Sequence, residues 1–200
     1  MRRKTFDILL TSGGLVVVIV LAVAGSLLLW GHNFANSNVR AQLAQQQITF
    51  PAAGSKALAS PQIGPYLNQY AGQQVLSGPQ AKAYADHFIA VHLSEMPYNG
   101  VYSKVSAASM ADPKNAALQQ QVQTVFRGTT LRGLLLEAYA FWKIGQIALI
   151  GAIVSFILAA VMLALTGFGF WHLRRVDPAE ELMPQRHTTK GGAPASPAVA

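Results

Sequence analysis

Two uncharged apolar runs dominate the pattern of hydrophobic and polar positions along the 200-residue chain. They cover Ile8 to Trp30 and Ile144 to Trp171, and the first contains fourteen Leu, Ile or Val residues. Each run exceeds the roughly 20 residues that a helix needs to cross about 30 Å of hydrocarbon. The pattern therefore predicts two transmembrane helices, at residues 8–30 and 144–171.

Basic residues at the outer flanks of these runs predict the orientation. The first run is too long for a cleaved signal peptide, whose apolar region spans about 7 to 15 residues, so we interpret it as an uncleaved anchor. Arg2 to Lys4 precede it, and Arg174 and Arg175 follow the second run. Cytoplasmic flanks collect Lys and Arg. We therefore expect a cell-membrane protein with three segments outside the bilayer: a cytoplasmic N-terminus at residues 1–7, an extracytoplasmic segment at 31–143, and a largely disordered cytoplasmic tail at 172–200.

Between the two runs, apolar residues recur at helical spacing. In no stretch do apolar and polar residues alternate clearly enough to predict a sheet. Val39 and Leu43 continue the first helix until Pro51 ends it, and the stretch from Pro51 to Pro65 has the composition of a loop. A short helical turn at "YLNQYAG" follows. Gly78-Pro79 then begins a helix that extends to about Met96.

Two further helices complete the segment. The stretch "YSKVSAASM" predicts one, and Asp112-Pro113 is a strong start signal for the next. That last helix enters the second apolar run, with Gly128 as a candidate break. Its residues 131–143 are rich in apolar side chains that need cover, and the helix around Phe88 is the predicted cover. The expected fold class is an all-α membrane protein, a two-helix transmembrane hairpin with a small extracytoplasmic helical cap.

Small residues occur at about four-residue steps in both runs: Ala22 and Ser26, then Ala148, Ala152, Ser155 and Ala159. Such positions let helices approach closely. Alanine is also common in any apolar helix, so packing of these faces against each other remains one of two interpretations.

Composition and charge narrow the function classes. The chain is 52% hydrophobic and only 12% charged, has no cysteine, and carries a net charge of +7. Without cysteine it has neither a disulfide framework nor thiolate chemistry. The charged residues of the 31–143 segment are scattered rather than arranged in an aromatic-interleaved basic stripe, which disfavours nucleic acid as a partner. Membrane lipid remains a plausible partner because basic residues attract anionic headgroups.

The stretch "AKAYADHFIAVHL" holds the strongest candidates for metal chemistry. On a regular helical wheel, His92 falls near the middle of the apolar arc, and His87 lies roughly 140° away on the polar side. Metal-binding pairs on a helix use i,i+3 or i,i+4 spacing, so these histidines do not share a face. Glu95 is close in angle to His92. We therefore treat His87, His92 and Glu95 as weak metal candidates, and we predict no catalytic residue and no cofactor site.

Three stretches resemble a known family: "RRKTFDILLTSGGL", "YAGQQVLSGPQAKAYADHFIAVHL" and "ADPKNAALQQQVQTVFRGTTLRGLLLEAYAFWKIGQIA". They are similar to small two-span membrane proteins of actinobacteria, and the resemblance extends over most of residues 2–175. Members often carry the label of aromatic ring-opening dioxygenase. That label implies a ferrous iron held by two histidines and a carboxylate. The helical wheel opposes a shared iron between His87 and His92, so we interpret the label as spurious and transfer no catalytic residue.

Three functions remain open. The first is a non-enzymatic envelope scaffold or partner-binding subunit that contacts another membrane protein or a second copy of itself, with Tyr66, Tyr70, Tyr98 and Tyr102 as contacts. The second is a metal-dependent enzyme that uses His92, Glu95 and His87. The third is lipid or quinone contact along Leu131 to Trp142.

Overall fold

The computed structural model describes residues 3–175, with side chains from residue 5 onward. The predictions for the first two residues and for the tail beyond residue 175 lie outside the described residues. The α-helices are α1 (Arg3–Gln46), α2 (Lys56–Ala59), α3 (Gly64–Leu67), α4 (Gly78–Tyr84), α5 (Ala90–Ser94), α6 (Tyr102–Ala111) and α7 (Ala116–Leu173). Short 3₁₀ turns at Asn68–Tyr70 and Pro97–Gly100 and a π turn at Ala85–Ile89 complete the regular structure. No strand occurs between residues 3 and 175, so the all-α prediction is confirmed for this part of the chain.

The two apolar runs lie within two long helices. α1 has 44 residues and α7 has 58. At 1.5 Å per residue these helices measure about 66 and 87 Å, much longer than the apolar runs alone. In each helix only 11% of the most apolar window is buried. Both helices are therefore long and apolar enough to cross a membrane, and their apolar surfaces face outward rather than into a protein core.

The start of α7 corrects one prediction. Asp112-Pro113 forms a turn instead of the first helical residues, and α7 begins at Ala116. The N-cap is Asn115, whose side-chain oxygen accepts a hydrogen bond from the backbone N–H of Leu118 at 3.2 Å. The candidate break at Gly128 is also wrong, because α7 passes through it without interruption. Gly128 instead leaves room for the Leu93 side chain, which would lie 2.9 Å from an added Cβ.

The chain divides into two compact units. A terminal unit comprises Met1–Ala22 and Phe156–Ala200, and a central unit comprises Val23–Ser155. In the described part of the terminal unit, α1 and α7 pack antiparallel through small residues. A Cβ added to Gly14 would lie 2.7 Å from Thr166 Oγ1, and one added to Gly169 would lie 2.8 Å from Thr11 Oγ1. Glycine thus permits the close approach of the two helices.

In the central unit, α1 and α7 are also antiparallel. A Cβ on Gly151 would lie 3.2 Å from Leu28 Cδ1, and one on Gly145 would lie 2.9 Å from the Cβ of Ala35. Of the small residues named above, Ala152 and Ala159 are buried, whereas Ser26 is exposed. Ala152 and Ala159 therefore pack against protein, which supports the helix-packing interpretation at these two positions.

A polar contact reinforces this close approach. The ring of His32 lies with Nδ1 2.9 Å from the carbonyl oxygen of Gly145 and Nε2 3.0 Å from Asn36 Nδ2. A carbonyl can only accept, so Nδ1 carries the proton and Nε2 accepts from the amide. His32 therefore joins α1 to α7 through a side-chain hydrogen bond.

The hydrophobic core lies in the central unit, where the short helices cover α1 and α7. Its buried members are Val39, Leu43, Phe50, Leu58, Ile63, Leu67, Val75, Ala81, Ala85, Ile89 and Leu135. Phe88, Leu131, Leu136 and Trp142 pack at its edge. The predicted cover of residues 131–143 by the helix around Phe88 therefore holds only in part, because Leu134 and Phe141 stay 50% and 37% exposed.

The segment between α1 and α4 is more ordered than its loop-like composition predicts. Val75 N–H donates to Ile48 O and Phe50 N–H donates to Gln73 O, both at 2.8 Å. These bonds surround an isolated antiparallel bridge between Thr49 and Gln74. Leu58 of α2, Leu67 of α3 and Ile63 just before α3 lie in the core. Together with these bonds, the two helices correct the prediction of a loop from Pro51 to Pro65.

Candidate functional site

The π turn decides where the candidate histidines point. Between α4 and α5, the N–H of Ala90 bonds to the carbonyl of Ala85, five residues back. This wider turn takes up one extra residue, which a wheel of about 100° per residue does not include. Ala81, Ala85 and Ile89, which a regular wheel also places on the apolar arc, form the buried face. A regular wheel therefore misplaces the residues that follow.

Both histidines differ from their predicted environments. His87 is half-buried, and its ring stacks on the exposed Tyr66 ring with centroids 3.6 Å apart. His92 is exposed rather than central to the apolar face. Its Nδ1 donates a 2.7 Å hydrogen bond to the carbonyl of Phe88, and its ring lies 4.4 Å from that of Phe88. His92 therefore lies outside the apolar face on which the wheel placed it, and His87 is less exposed than a residue of the polar side.

The metal candidates do not converge in the described part of the chain. Glu95 is exposed at the end of α5. No group of three or more His, Asp, Glu or Cys side chains suited to a metal ion occurs among the residues searched. His87 meets an aromatic ring instead, and the Nδ1 of His92 is engaged by its own helix.

Asp86 is the charged centre of the π turn. Its carboxylate accepts hydrogen bonds from Lys82 one turn earlier and, at 3.0 Å, from Arg132 of α7. Partial burial alone would raise the pKa of Asp86, but the bonds and charges of Lys82 and Arg132 outweigh that effect and hold the pKa below its ordinary value. Nearby, burial raises the pKa of the Tyr84 phenol. The ion pair between Asp86 and Arg132 joins the π turn to α7, so this carboxylate helps to hold the turn against that helix.

An exposed apolar surface, the tyrosine patch, consists of Tyr98, Val101, Tyr102 and Phe126. The exposed fractions are 50%, 40%, 42% and 51%, respectively. The rings of Tyr102 and Phe126 lie 5.8 Å apart, so α6 and α7 contribute to one surface. Of the four tyrosines predicted as contacts, Tyr98 and Tyr102 belong to this patch. Tyr70 does not: it is partly buried 5.1 Å from the Phe50 ring.

The backbone at one edge of the tyrosine patch is unusual. Tyr98, Asn99 and Gly100 all have positive φ, at 57°, 55° and 64°. Only glycine adopts this conformation without cost, and a bulky residue there is a strained outlier. Gly100 is required where it stands, because a Cβ would lie 2.4 Å from the carbonyl oxygen of Leu93. The turn "PYNG" therefore holds Tyr98 at the surface against a local energetic cost.

A second surface feature, the amide groove, lies between α1 and α7 in the central unit. One edge consists of Asn38, Gln42 and Gln46 at four-residue steps, and Glu137 faces them from α7. The remaining lining residues are Val39, Leu43, Leu134, Ala138 and Phe141. The cavity has a volume of about 300 Å³. It thus combines hydrogen-bonding groups with an apolar floor, as ligand sites commonly do.

Exposed aromatic rings continue from the amide groove along α1. Phe141 at the groove contacts Phe34 edge to face at 6.5 Å, and Phe34 stacks on Trp30 at 5.6 Å. Trp30 and Phe34 are 67% and 52% exposed. These three residues form an aromatic row that leads from the groove to the end of the first apolar run.

Sequence reasoning missed the amide groove. Asn38, Gln42 and Gln46 separately resemble the solvated face of a helix. Their i, i+4, i+8 spacing beside the buried Val39 and Leu43 is the signal that could have indicated a lined groove. The facing wall on α7 coincides with the Leu131 to Trp142 stretch predicted for lipid contact.

Comparisons with protein families, with curated proteins and with solved structures gave no match to this chain.

Proposed function

We propose that the chain is a two-pass membrane protein with both termini in the cytoplasm and residues 31–143 outside. The exposure of the two apolar windows supports this placement, because a core helix of a soluble protein would be mostly buried. Antiparallel packing within each unit agrees with a hairpin. The basic flanks favour cytoplasmic termini. Membership of the actinobacterial two-span family is part of the same proposal and rests on the resemblance of the quoted stretches.

The function we propose for the extracytoplasmic segment is that of a partner-binding envelope subunit that docks a protein through the tyrosine patch. The observation that carries this proposal is the strained Tyr98 turn beside the exposed Tyr102 and Phe126 rings. Tyrosine supplies a large contact area at a low cost in conformational entropy, and aromatic residues dominate the energetically important positions of interfaces. Phe126 also precedes Ile144 by 18 residues of continuous helix, about 27 Å. The patch is therefore within reach of proteins that extend well beyond the bilayer surface.

Site-specific photo-crosslinking in native membranes tests this function. A photoreactive phenylalanine analogue at position 102 is expected to crosslink to one defined protein, either a second copy of the chain or another envelope protein. The same analogue at position 66 is the matched control, because Tyr66 is 49% exposed but lies outside the patch.

A variant then tests the contact itself. Phe126→Ala is expected to lower the yield of the position-102 crosslink at least tenfold while the protein keeps its expression level and helical content. The proposal is wrong if positions 102 and 66 capture the same proteins, or if Phe126→Ala leaves the crosslink unchanged.

A further inference from the structure

We infer that the amide groove binds the headgroup of an uncharged, hydroxyl-bearing lipid, a glycolipid, whose acyl chains leave the groove along the aromatic row. This inference goes beyond the docking of a protein on the tyrosine patch. It rests on the proposed membrane placement but not on the proposed partner. The ligand class follows from the polar groups, the location and the size of the groove.

The polar lining selects the chemistry of the headgroup. Asn38, Gln42 and Gln46 each offer an amide donor and a carbonyl acceptor, and Glu137 adds a carboxylate acceptor. Hydroxyl groups both donate and accept, so a polyhydroxylated ring can satisfy such a set. No Lys or Arg lines the groove, and Glu137 would repel a phosphate. The lining therefore disfavours an anionic phospholipid.

Two of the three amides and the carboxylate are exposed to a ligand. Gln42 Nε2 donates to Asn38 Oδ1 at 3.0 Å, which aligns both side chains along the exposed edge of α1. Gln42, Gln46 and Glu137 are all exposed, so no desolvated group must be uncovered before a headgroup binds. The floor below them is apolar, with Val39 and Leu43 only 5% and 2% exposed. Amide edges above an apolar floor match the polar rim and apolar face of a sugar ring.

The location favours a lipid rather than a free sugar. The helices are antiparallel, so the Asn38 end of the groove lies beside Phe141, and Phe141 begins the aromatic row to Trp30. Trp30 ends the first apolar run, and Trp residues at such positions lie at the headgroup level of a bilayer. An acyl chain that follows Phe141, Phe34 and Trp30 would run along about 12 Å of helix between Asn38 and Trp30 before it enters the hydrocarbon.

The size of the groove suits one headgroup. Its volume of about 300 Å³ corresponds to roughly ten water molecules at about 30 Å³ each. That space accommodates a single sugar ring and leaves the acyl chains outside, where the aromatic row can contact them.

Native mass spectrometry of the full-length protein released from nanodiscs tests the inference. The nanodiscs contain phosphatidylcholine with equal small amounts of a monoglucosyl diacylglycerol, a phosphatidylglycerol and a phosphatidylethanolamine that share the same acyl chains. Co-elution of protein and nanodisc reports membrane insertion separately from lipid selectivity. Failure of the membrane placement and failure of the headgroup site are therefore distinguishable.

The expected result is retention of the glucosyl lipid at least tenfold above the other two. The double variant Gln42→Leu and Gln46→Leu should abolish this preference, because a site that hydrogen-bonds hydroxyl groups loses its selectivity when those bonds are removed. Gln45→Leu is the matched control: the residue is exposed on the same helix but does not line the groove. It should leave the preference intact.

Glu137→Gln separates sugar recognition from recognition of an amine. The substitution keeps the shape of the side chain and a hydrogen-bond acceptor but removes the negative charge. The preference for the glucosyl lipid should therefore change less than threefold. Preferential retention of phosphatidylethanolamine that is lost in Glu137→Gln would overturn the inference in favour of an amine site. Preferential retention of phosphatidylglycerol, or equal retention of all three lipids, would also overturn it.

Discussion

Asp86 connects the π turn to α7, and the ion pairs of this one residue contribute to the stability of the fold in a way that depends on pH. Its pKa is lower in the folded state than in the unfolded chain, so the ion pairs contribute fully above the unfolded value of 3.8. That contribution is lost as the pH falls through the lower, folded pKa. The side chains of Lys82 and Arg132 are 47% and 40% exposed, which limits each pair to about 1 kcal/mol or less.

The first prediction concerns Asp86→Asn. We expect it to lower the free energy of unfolding by about 1 kcal/mol at pH 7, and the difference from the unmodified protein should shrink as the pH falls below about 4. Chemical unfolding of the full-length protein in detergent at pH 7, 5 and 3.5 measures this. Glu95→Gln, at an exposed carboxylate of the same segment, should show no comparable loss. A destabilisation by Asp86→Asn that stays constant over this range would contradict the assignment.

The second prediction compares two glycines. An added Cβ at Gly78 would lie 2.5 Å from Cβ and Cγ of Trp142, atoms that cannot move without displacing α7 or the indole. Gly78→Ala should therefore lower the free energy of unfolding by about 1–3 kcal/mol. At Gly133, inside α7, nothing lies within 4 Å of the added atom, so Gly133→Ala should stabilise the helix by up to about 1 kcal/mol. Thermal unfolding followed by circular dichroism should give midpoint shifts of opposite sign, and shifts of the same sign would contradict the packing of α4 on α7.

At the scale of an element, the π turn determines which side chains of residues 78–94 face α7. It brings Ile89 into the core at 8% exposure and leaves His92 at the surface. A regular helix through the same residues would place His92 on the apolar arc. The two arrangements therefore differ in the effect that they predict for a substitution of His92.

The third prediction follows from this difference. Ile89→Ala removes a buried side chain and should destabilise the protein by about 2–4 kcal/mol. His92→Ala should change stability by less than about 0.5 kcal/mol, because the ring is exposed and bonds to its own helix. Denaturant midpoints of the two variants provide the measurement. A larger loss of stability for His92→Ala than for Ile89→Ala would contradict the π turn and would indicate a regular α-helix.

The helices can be predicted from the sequence better than the candidate functional sites can. Apolar spacing indicates α1, α4, α6 and α7, since each buries one stripe of side chains. It misses the π turn because the turn brings Asp86 to Arg132, 46 residues away in α7, and local spacing does not contain that contact. It begins α7 too early because Asp112 and Asn115 are both good caps, and only the folded turn selects Asn115. The amide groove requires two helices far apart in the chain, so a single stretch cannot reveal it.

At the scale of the whole molecule, the proposed two-pass topology depends on two apolar runs within the long helices α1 and α7. The exposed side chains of these runs have no cover among the described residues, and a bilayer is the environment that removes such surface from water. The proposed roles of the tyrosine patch and the amide groove both require residues 31–143 to lie together on one side of that bilayer.

Cysteine accessibility in intact cells tests the two-pass topology, because the chain has no cysteine of its own. Three single substitutions suffice: Lys114→Cys in the outer segment, Ile150→Cys at a side chain that is 63% exposed within the second run, and Ala200→Cys at the end of the sequence. A membrane-impermeant maleimide should label position 114 in intact cells, position 200 only after lysis, and position 150 in neither case. Labelling of positions 114 and 200 to the same extent from outside, or of position 150 as fast as position 114, would contradict the two-pass arrangement.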